Sequence, residues 1–304
     1  MNVVGIGGGH GLSRALAALR RLGHRPTAVV TVADDGGSSG RLREEHGVVA
    51  LGDMRMALFT LAGDAELAAV FEHRFRAGEL EGHAMGNLFL LAMLEVTGGD
   101  LLRALDRAAM LLDCQGRVLP CTNQAVRLCA CVGGEEVGGQ VRVATAEGTV
   151  ERVWLSPERP VACPEAVAAI EEADAIVLGP GSLFTSILAT LAVPGIADAV
   201  VRCDARIVYV ANLLTQRGET SDLDATAHVE ALARHVPGLH LDVVLLHDGP
   251  SARGPGRGLG TTVHHPAAGR VVVADMALRH RDGRATGTHD PLRLARALEP
   301  ILVP

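Results

Sequence analysis

The stretch Asn2 to Leu19, NVVGIGGGHGLSRALAAL, decides the fold class. Asn2 to Ile6 is a short β-branched run that suits a buried strand. It breaks into Gly7-Gly8-Gly9, after which Leu12, Ala15, Leu16 and Leu19 recur at helical spacing. Strand, glycine turn and helix in that order open an α/β sheet. Such a turn brings bare backbone to a helix start, where unpaired N–H groups and the helix dipole favour a phosphate. Gly8, Gly9, His10 and Gly11 are therefore candidate anion-binding residues. The alternative for this turn is close packing alone. No register satisfies G-x-G-x-x-G, because the sixth position is His10, Leu12 or Arg14 when counting starts at Gly5, Gly7 or Gly9. The standard NAD fingerprint is therefore missing, although phosphate binding is not excluded.

The same alternation continues along the chain. Thr27 to Val32 reads as a second strand, ending in the loop Ala33 to Gly40, ADDGGSSG. Helical patterns come next over residues 53–61, 65–75, 86–96 and 100–112. From Gly116 to about Leu155 the period shifts toward two, with turns at Gly133-Gly134 and Gly138-Gly139, which predicts a small antiparallel insertion. Beyond it, strands are expected at 175–178, 206–211, 241–246 and 270–274, and helices at 164–173, 183–191, 220–235 and 291–298. Residues 250–262, rich in Gly, Pro and Arg, read as a mobile loop. The pattern predicts one α/β domain over 1–304, doubly wound, with helices on both faces of a mostly parallel sheet. Such sheets bind ligands outside the carboxyl ends of their strands.

Composition narrows the chemistry. Nearly half of the 304 residues are apolar, enough for a sizeable core. A net charge of −7, with one Trp and one Tyr, speaks against nucleic acid as a partner. The chain contains no Lys, so Schiff-base chemistry and a P-loop are excluded, and phosphate must be held by Arg, main-chain amides or metal. Six cysteines without paired C-x-x-C spacing read as small buried hydrophobes. No apolar run is long enough for a membrane span and no leader is apparent, so a cytoplasmic location is expected.

Polar residues collect where strands should end. Asp34 and Asp35, followed by Gly36, could read a ribose or hold Mg²⁺ beside a diphosphate; the plain alternative is turn and cap formation. Gly52-Asp53-Met54-Arg55 opens a helix with Asp53 as a competent N-cap. Asn87 starts another helix, as cap or base reader. Gly179-Pro180-Gly181-Ser182 forms a second glycine turn between strand and helix, with the same logic as the first. Asn212 to Gln216 closes a further strand. His228 reads as structural, and no H-E-x-x-H or G-x-S-x-G motif is present.

Taken together, GGGHGLS at 7–13, TVADDGGSSGRLR at 31–43, GDMR at 52–55, GHAMGNLFLLAMLE at 82–95, GRVLPCT at 116–122, VLGPGSLFTSILATLAVPGI at 177–196 and NLLTQRGET at 212–220 resemble the YvcK/CofD-like family. The resemblance runs in order over most of the chain and implies a Rossmann-like three-layer α/β/α core. One branch of that family comprises 2-phospho-L-lactate transferases, Mg²⁺-dependent enzymes that act on a guanylyl diphosphate ester. The other is the bacterial gluconeogenesis-factor branch, regulators that bind UDP-N-acetylglucosamine and support cell shape and cell-wall synthesis on gluconeogenic carbon. The uninterrupted VADDGGSSGRLR and NLLTQRGET segments resemble the second branch, which implies a non-catalytic regulator. Carried over by position, the resemblance implies that Gly8, Gly9 and Gly11 meet phosphate, that Asp34 and Asp35 face the reacting side of the cleft, and that Asn87, Gly181, Ser182 and Asn212 border the nucleotide; His10, Gly36, Asp53, Arg55 and Gln216 complete the candidate ligand site from their places beside these turns and strand ends. Asp34 and Asp35 would be the metal side, with Mg²⁺ as the implied cofactor. A UDP-sugar, cell-wall precursor enzymes, a Ser/Thr kinase and a second copy of the chain are the expected partners. Two positions depart from the family pattern. His10 replaces a common Thr, and Thr288 stands where an Arg often precedes the pair His289-Asp290.

Overall fold

Alternating residues of the central strands face two separate cores, which fixes the architecture. In a computed structural model describing residues 1–249 and 256–302, the strands in chain order are β1 (Val3–Gly7), β2 (Thr27–Val30), β3 (Arg117–Pro120), β4 (Arg127–Val132), β5 (Glu135–Gly138), β6 (Val150–Ser156), β7 (Ala175–Leu178), β8 (Arg206–Val210), β9 (Leu241–His247), β10 (Ala268–Ala274), β11 (Ala277–Arg279) and β12 (Ala285–His289). Seven of them form one parallel sheet in the order β10-β9-β8-β7-β1-β2-β3. Val3, Ala175, Val177, Val208, Val210, Val243 and Leu245 point to one face. Their neighbours Val4, Ile6, Ile176, Leu178, Ile207, Tyr209, Val244 and Leu246 point to the other. A period of two with both faces buried is what a sheet covered on both sides requires.

The helices are α1 (Gly9–Arg21), α2 (Gly37–His46), α3 (Gly52–Leu61), α4 (Ala65–Glu72), α5 (Met85–Val96), α6 (Leu101–Leu111), α7 (Gln140–Thr145), α8 (Pro164–Glu171), a π-helix (Leu183–Leu188) running into the single turn α9 (Ala189–Leu191), α10 (Pro194–Arg202), α11 (Ala225–His235) and α12 (Pro291–Leu302). On α1, Leu12, Ala15, Leu16, Ala18 and Leu19 are buried, one stripe at helical spacing, and α12 packs beside it on the smaller core. The expected α/β class with a mostly parallel sheet is therefore present. Chain order reverses direction across the sheet between β1 and β7. Successive strands run outward from β1 through β2 to β3, then restart at β7 and run outward to β10. Ligand crevices of open α/β sheets form at such a switch point.

Three differences from the sequence reading have physical causes. The antiparallel sheet β5-β4-β6 begins only at Arg127, because Arg117–Pro120 pairs parallel with β2 as an edge strand of the main sheet. Its Val118 and Leu119 are buried, and a terminal Pro120 is tolerated at an edge where no inner ladder needs its N–H. The loop after β2 is shorter than expected, since α2 starts at Gly37. Of the stretch 250–262, residues 250–255 lie outside the described residues. The remainder is held to the body of the protein, with Gly258 bridged to Leu214 and the Arg257 guanidinium donating to the Asp222 carbonyl at 2.7 Å.

All six cysteines are free thiols, with Cys121, Cys129 and Cys163 buried. Among the described residues no single helix is long and apolar enough to cross a membrane. The one pair that passes by composition, Leu183–Leu191 with Pro194–Arg202, is bent by 81°.

Candidate ligand site at the β1/β7 switch point

Two glycine turns meet at the carboxyl ends of β1 and β7 and press directly on each other. A Cβ on Gly11 would collide with the Pro180 carbonyl oxygen and sit 2.6 Å from the Gly181 Cα, so only glycine lets the turns approach this closely. Above them opens a cavity of about 340 Å³. Its walls bring together Gly8, Gly9, His10, Gly11, Asp53, Gly181, Ser182, Asn212 and Gln216 of the predicted site. They also include Arg14, Gln140, Ser186, Gly287, Thr288 and His289. Of these, Arg14, Gln140, Ser186 and Gly287 escaped the sequence reading. Arg14 had a legible signal: it lies three and four residues past Gly11 and His10, one helical turn along the same face.

The two turns differ in what their amides are free to do. At the first, the Gly9 N–H is taken by the Asp53 carboxyl. The N–H groups of His10 and Gly11 have no partner among the described residues, and neither has the Arg14 guanidinium. This is an anion-ready helix entrance. At the second, three amides, those of Gly181, Phe184 and Thr185, are already in use. The Gly181 N–H donates to Asn212 Oδ1 at 3.1 Å, and Asn212 Nδ2 donates back to the Gly181 carbonyl at 2.9 Å. Glu219, buried, accepts from the N–H groups of Phe184 and Thr185 at 2.9 and 2.7 Å. The expected second anion-binding turn is thus corrected: side chains from the segment after β8 cap it, and Asn212 and Gln216 act as its supports. Gln216 completes the brace by donating from Nε2 to Ser182 Oγ at 3.1 Å.

Burial pushes the Glu219 carboxyl above its usual range, and the two amides pull it back. Glu219→Ala should leave those amides unpaired in an apolar setting, which costs about 2 kcal/mol. Thermal denaturation should show Tm falling by about 5 °C. An unchanged Tm would mean that the cap is not needed.

The acidic residues also sort differently from expectation. Asp35 is spent on structure. Its carboxylate accepts from the N–H groups of Gln140 and Val141 at 3.0 and 2.9 Å, capping α7 and anchoring the antiparallel insertion whose Gln140 reaches the cavity. Asp34 accepts from the Gly36 N–H at 3.0 Å and faces the start of α3, where a Cβ on Gly52 would come within 3.0 Å of it. Its charge acts on Asp53. Asp53 is not an N-cap; α3 begins at Gly52, and the carboxyl points down onto Gly8, whose place a larger residue could not take. Burial first, and then the Asp34 charge, push Asp53 up to about 7, against the pull of the Gly9 N–H. Burial likewise raises Asp34.

Neither Arg55 nor Asn87 enters the cavity. Arg55 is buried with its Nε unpartnered and lies against Gly86. Asn87 donates to Ser38 Oγ at 3.0 Å and leaves its Oδ1 without a partner, while Ser38 and His83 Nδ1 lie 3.1 Å apart. Gly36 N-caps α2 and lies outside the cavity as well. His228 is structural, as read, with Nδ1 2.9 Å from the Tyr209 hydroxyl.

Comparison with known proteins settles the lineage. The family model for 2-phospho-L-lactate transferase CofD matches residues 3–257. This chain belongs to the CofD family. Within the CofD family it is similar to the protein named gluconeogenesis factor in Bacillus subtilis, at 43% identity with 80% of this chain and 77% of that protein aligned. A Mycobacterium tuberculosis relative is 43% identical over 98% of this chain and 90% of its own length. The crystal structure of a UPF0052 family member from Bacillus halodurans superposes with a TM-score of 0.89 at 35% identity, covering 98% of both chains. The expected gluconeogenesis-factor branch of the CofD family is therefore the one these relatives support.

Proposed function

We propose that this protein is a regulator that binds a nucleotide sugar of the UDP-N-acetylglucosamine class in the cavity at the β1/β7 switch point. One observation carries the reading: the free N–H groups of His10 and Gly11 stand beside the unpartnered Arg14 guanidinium in a cavity of about 340 Å³. Those donors suit a diphosphate, since a rigid guanidinium fork and helix-start amides both favour phosphate oxygens. Relatives named gluconeogenesis factor support a role on gluconeogenic carbon, and the branch resemblance extends it to cell shape and cell-wall synthesis. Precursor enzymes, a Ser/Thr kinase and a second copy of the chain are the proposed partners, in the cytoplasm.

The test is a thermal shift. UDP-N-acetylglucosamine at about 100 times its dissociation constant should add about 2.7 kcal/mol, a rise in Tm of several degrees. Arg14→Gln should remove most of that rise while leaving the unliganded Tm within about 2 °C. No shift with any uridine diphosphate compound would overturn the reading.

Asp34 and Asp53 favour a second reading, a Mg²⁺-dependent transferase acting on a guanylyl diphosphate ester. Among the described residues no group of three or more His, Cys, Asp or Glu side chains could hold a metal. Mg²⁺, however, needs only one or two carboxylates alongside phosphate oxygens, and Asp53 in the cavity wall, pushed up by burial and by the nearby Asp34 charge, fits that demand. Asp35, occupied by α7, does not. Bound there, Mg²⁺ would neutralise charge on a diphosphate. This reading predicts a shift with guanosine diphosphate compounds that requires Mg²⁺ and is lost in Asp34→Asn; the regulator reading predicts a shift confined to the uridine sugar.

A further inference from the structure

His289, at the end of β12, is a buried polar group in the cavity wall, with one ring nitrogen tied and the other without a partner among the described residues. The side chain is 5% exposed. Its ring donates to the Ala211 main chain, and the free nitrogen, Nε2, has no partner among the described residues. The residue lines the same cavity as Arg14, Asn212 and the α1 entrance. A buried, unsatisfied ring nitrogen in a functional cavity calls for a partner. With Nδ1 carrying the proton, Nε2 presents a lone pair and can only accept a hydrogen bond. Beside it at the helix start stand donors, the amides of His10 and Gly11 and the guanidinium of Arg14. Asn212 Nδ2 is already spent on Gly181 and Gln216. A ligand that satisfies this wall must offer acceptors to the helix start and a donor to His289. The ionised diphosphate diester of a nucleotide sugar offers no donor, whereas its sugar hydroxyls do.

We propose that His289 Nε2 accepts a hydrogen bond from a hydroxyl of the ligand's sugar part, making His289 a specificity-determining residue of the site. The proposal rests on the nucleotide-sugar reading above. Burial, then the neighbouring His247 and Arg14, hold the ring neutral by lowering it to about 3, against the Ala211 bond, which keeps the lone pair available at neutral pH. The hydroxyl can come from the ribose or from the pyranose, and both share this chemistry.

The experiment measures binding of UDP-N-acetylglucosamine, UDP and 2′-deoxy-UDP to the full-length wild type and to His289→Phe, with Tm recorded for both. Wild type should prefer the hydroxyl-bearing member of one pair by about tenfold, and His289→Phe should erase that preference. Loss of the UDP-N-acetylglucosamine over UDP preference assigns the pyranose, and loss of the UDP over 2′-deoxy-UDP preference assigns the ribose. Retention of every preference by a folded variant overturns the proposal alone. A wild type that binds none of the three overturns the nucleotide-sugar reading itself, and this assignment with it. If His289→Phe fails to fold, ¹⁵N spectra of wild-type imidazoles decide: the Nε2 resonance of His289 should move on adding UDP-N-acetylglucosamine, and a stationary resonance at saturation contradicts the assignment.

Discussion

Gly11→Ala should weaken binding of UDP-N-acetylglucosamine by more than about tenfold and lower Tm by about 5 °C. The added Cβ would overlap the Pro180 carbonyl and lie 2.6 Å from the Gly181 Cα, both main-chain atoms that cannot swing aside. Relief requires the first turn of α1 to separate from the second glycine turn. The second turn is held from behind by Asn212, Gln216 and Glu219, so α1 must give way. Overpacking at a tight contact costs about 1–3 kcal/mol. The same displacement carries the amides of His10 and Gly11, with Arg14 on the same helix, away from the cavity wall formed by the second turn, and that is why binding suffers along with stability. Gly258→Ala is the control, because a Cβ there meets nothing within 4 Å and should change Tm by less than about 2 °C. Equal binding by wild type and Gly11→Ala would show that the contact between the turns does not shape the site.

Asp53→Asn should stabilise the protein at pH 8 and tighten metal-free binding of the diphosphate. In the folded chain Asp53 titrates at about 7, well above an unfolded Asp, so the folded state holds the proton longer. Below about pH 4 both states are protonated and Asp53 costs nothing. As pH rises from about 4 to 7, the unfolded chain ionises first and stability falls; above 7 the full penalty, on the order of 4 kcal/mol, remains. Asn carries no such penalty and still offers an oxygen to the Gly9 N–H. Denaturant unfolding across about pH 4 to 8 should therefore show wild type and variant converging at the acid end and diverging at the basic end. Parallel curves would mean that Asp53 is not buried beside Asp34. The ionised carboxyl also sits at the α1 entrance, where it repels a diphosphate. Binding without divalent cation should then be tighter in Asp53→Asn, and Mg²⁺ should help wild type but not the variant.

Much of the scaffold was legible because strands buried on both faces and helices with one apolar stripe leave strong periods. Val3 to Ile6 and Leu12 to Leu19 are the plainest cases, and the glycine turn between them could be read as an anion site. The second turn was misread for a specific reason. Glu219 lies about forty residues past Gly179-Pro180-Gly181-Ser182, and only the packing of the segment after β8 against β7 brings its carboxyl to Phe184 and Thr185. Nothing local marks a glycine turn as already capped. Asp35 was misassigned in the same way, since its partners Gln140 and Val141 come from the distant insertion. Asp34 and Asp53 both stand out in the sequence, but not as neighbours, because their proximity depends on how α3 packs beneath Gly8. His289 was visible only as half of a family motif; its free nitrogen is a property of the folded ring, not of the sequence.

The central claim is that the entrance of α1, and not that of the π-helix, receives the ligand's diphosphate. A crystal structure of the protein grown with UDP-N-acetylglucosamine tests it most directly. The diphosphate oxygens should lie at hydrogen-bond distance from the N–H groups of His10 and Gly11 and from Arg14, with Glu219 still capping Phe184 and Thr185. A ligand seated elsewhere, or a diphosphate that displaces Glu219 to reach the π-helix while the α1 amides stay empty, would contradict it.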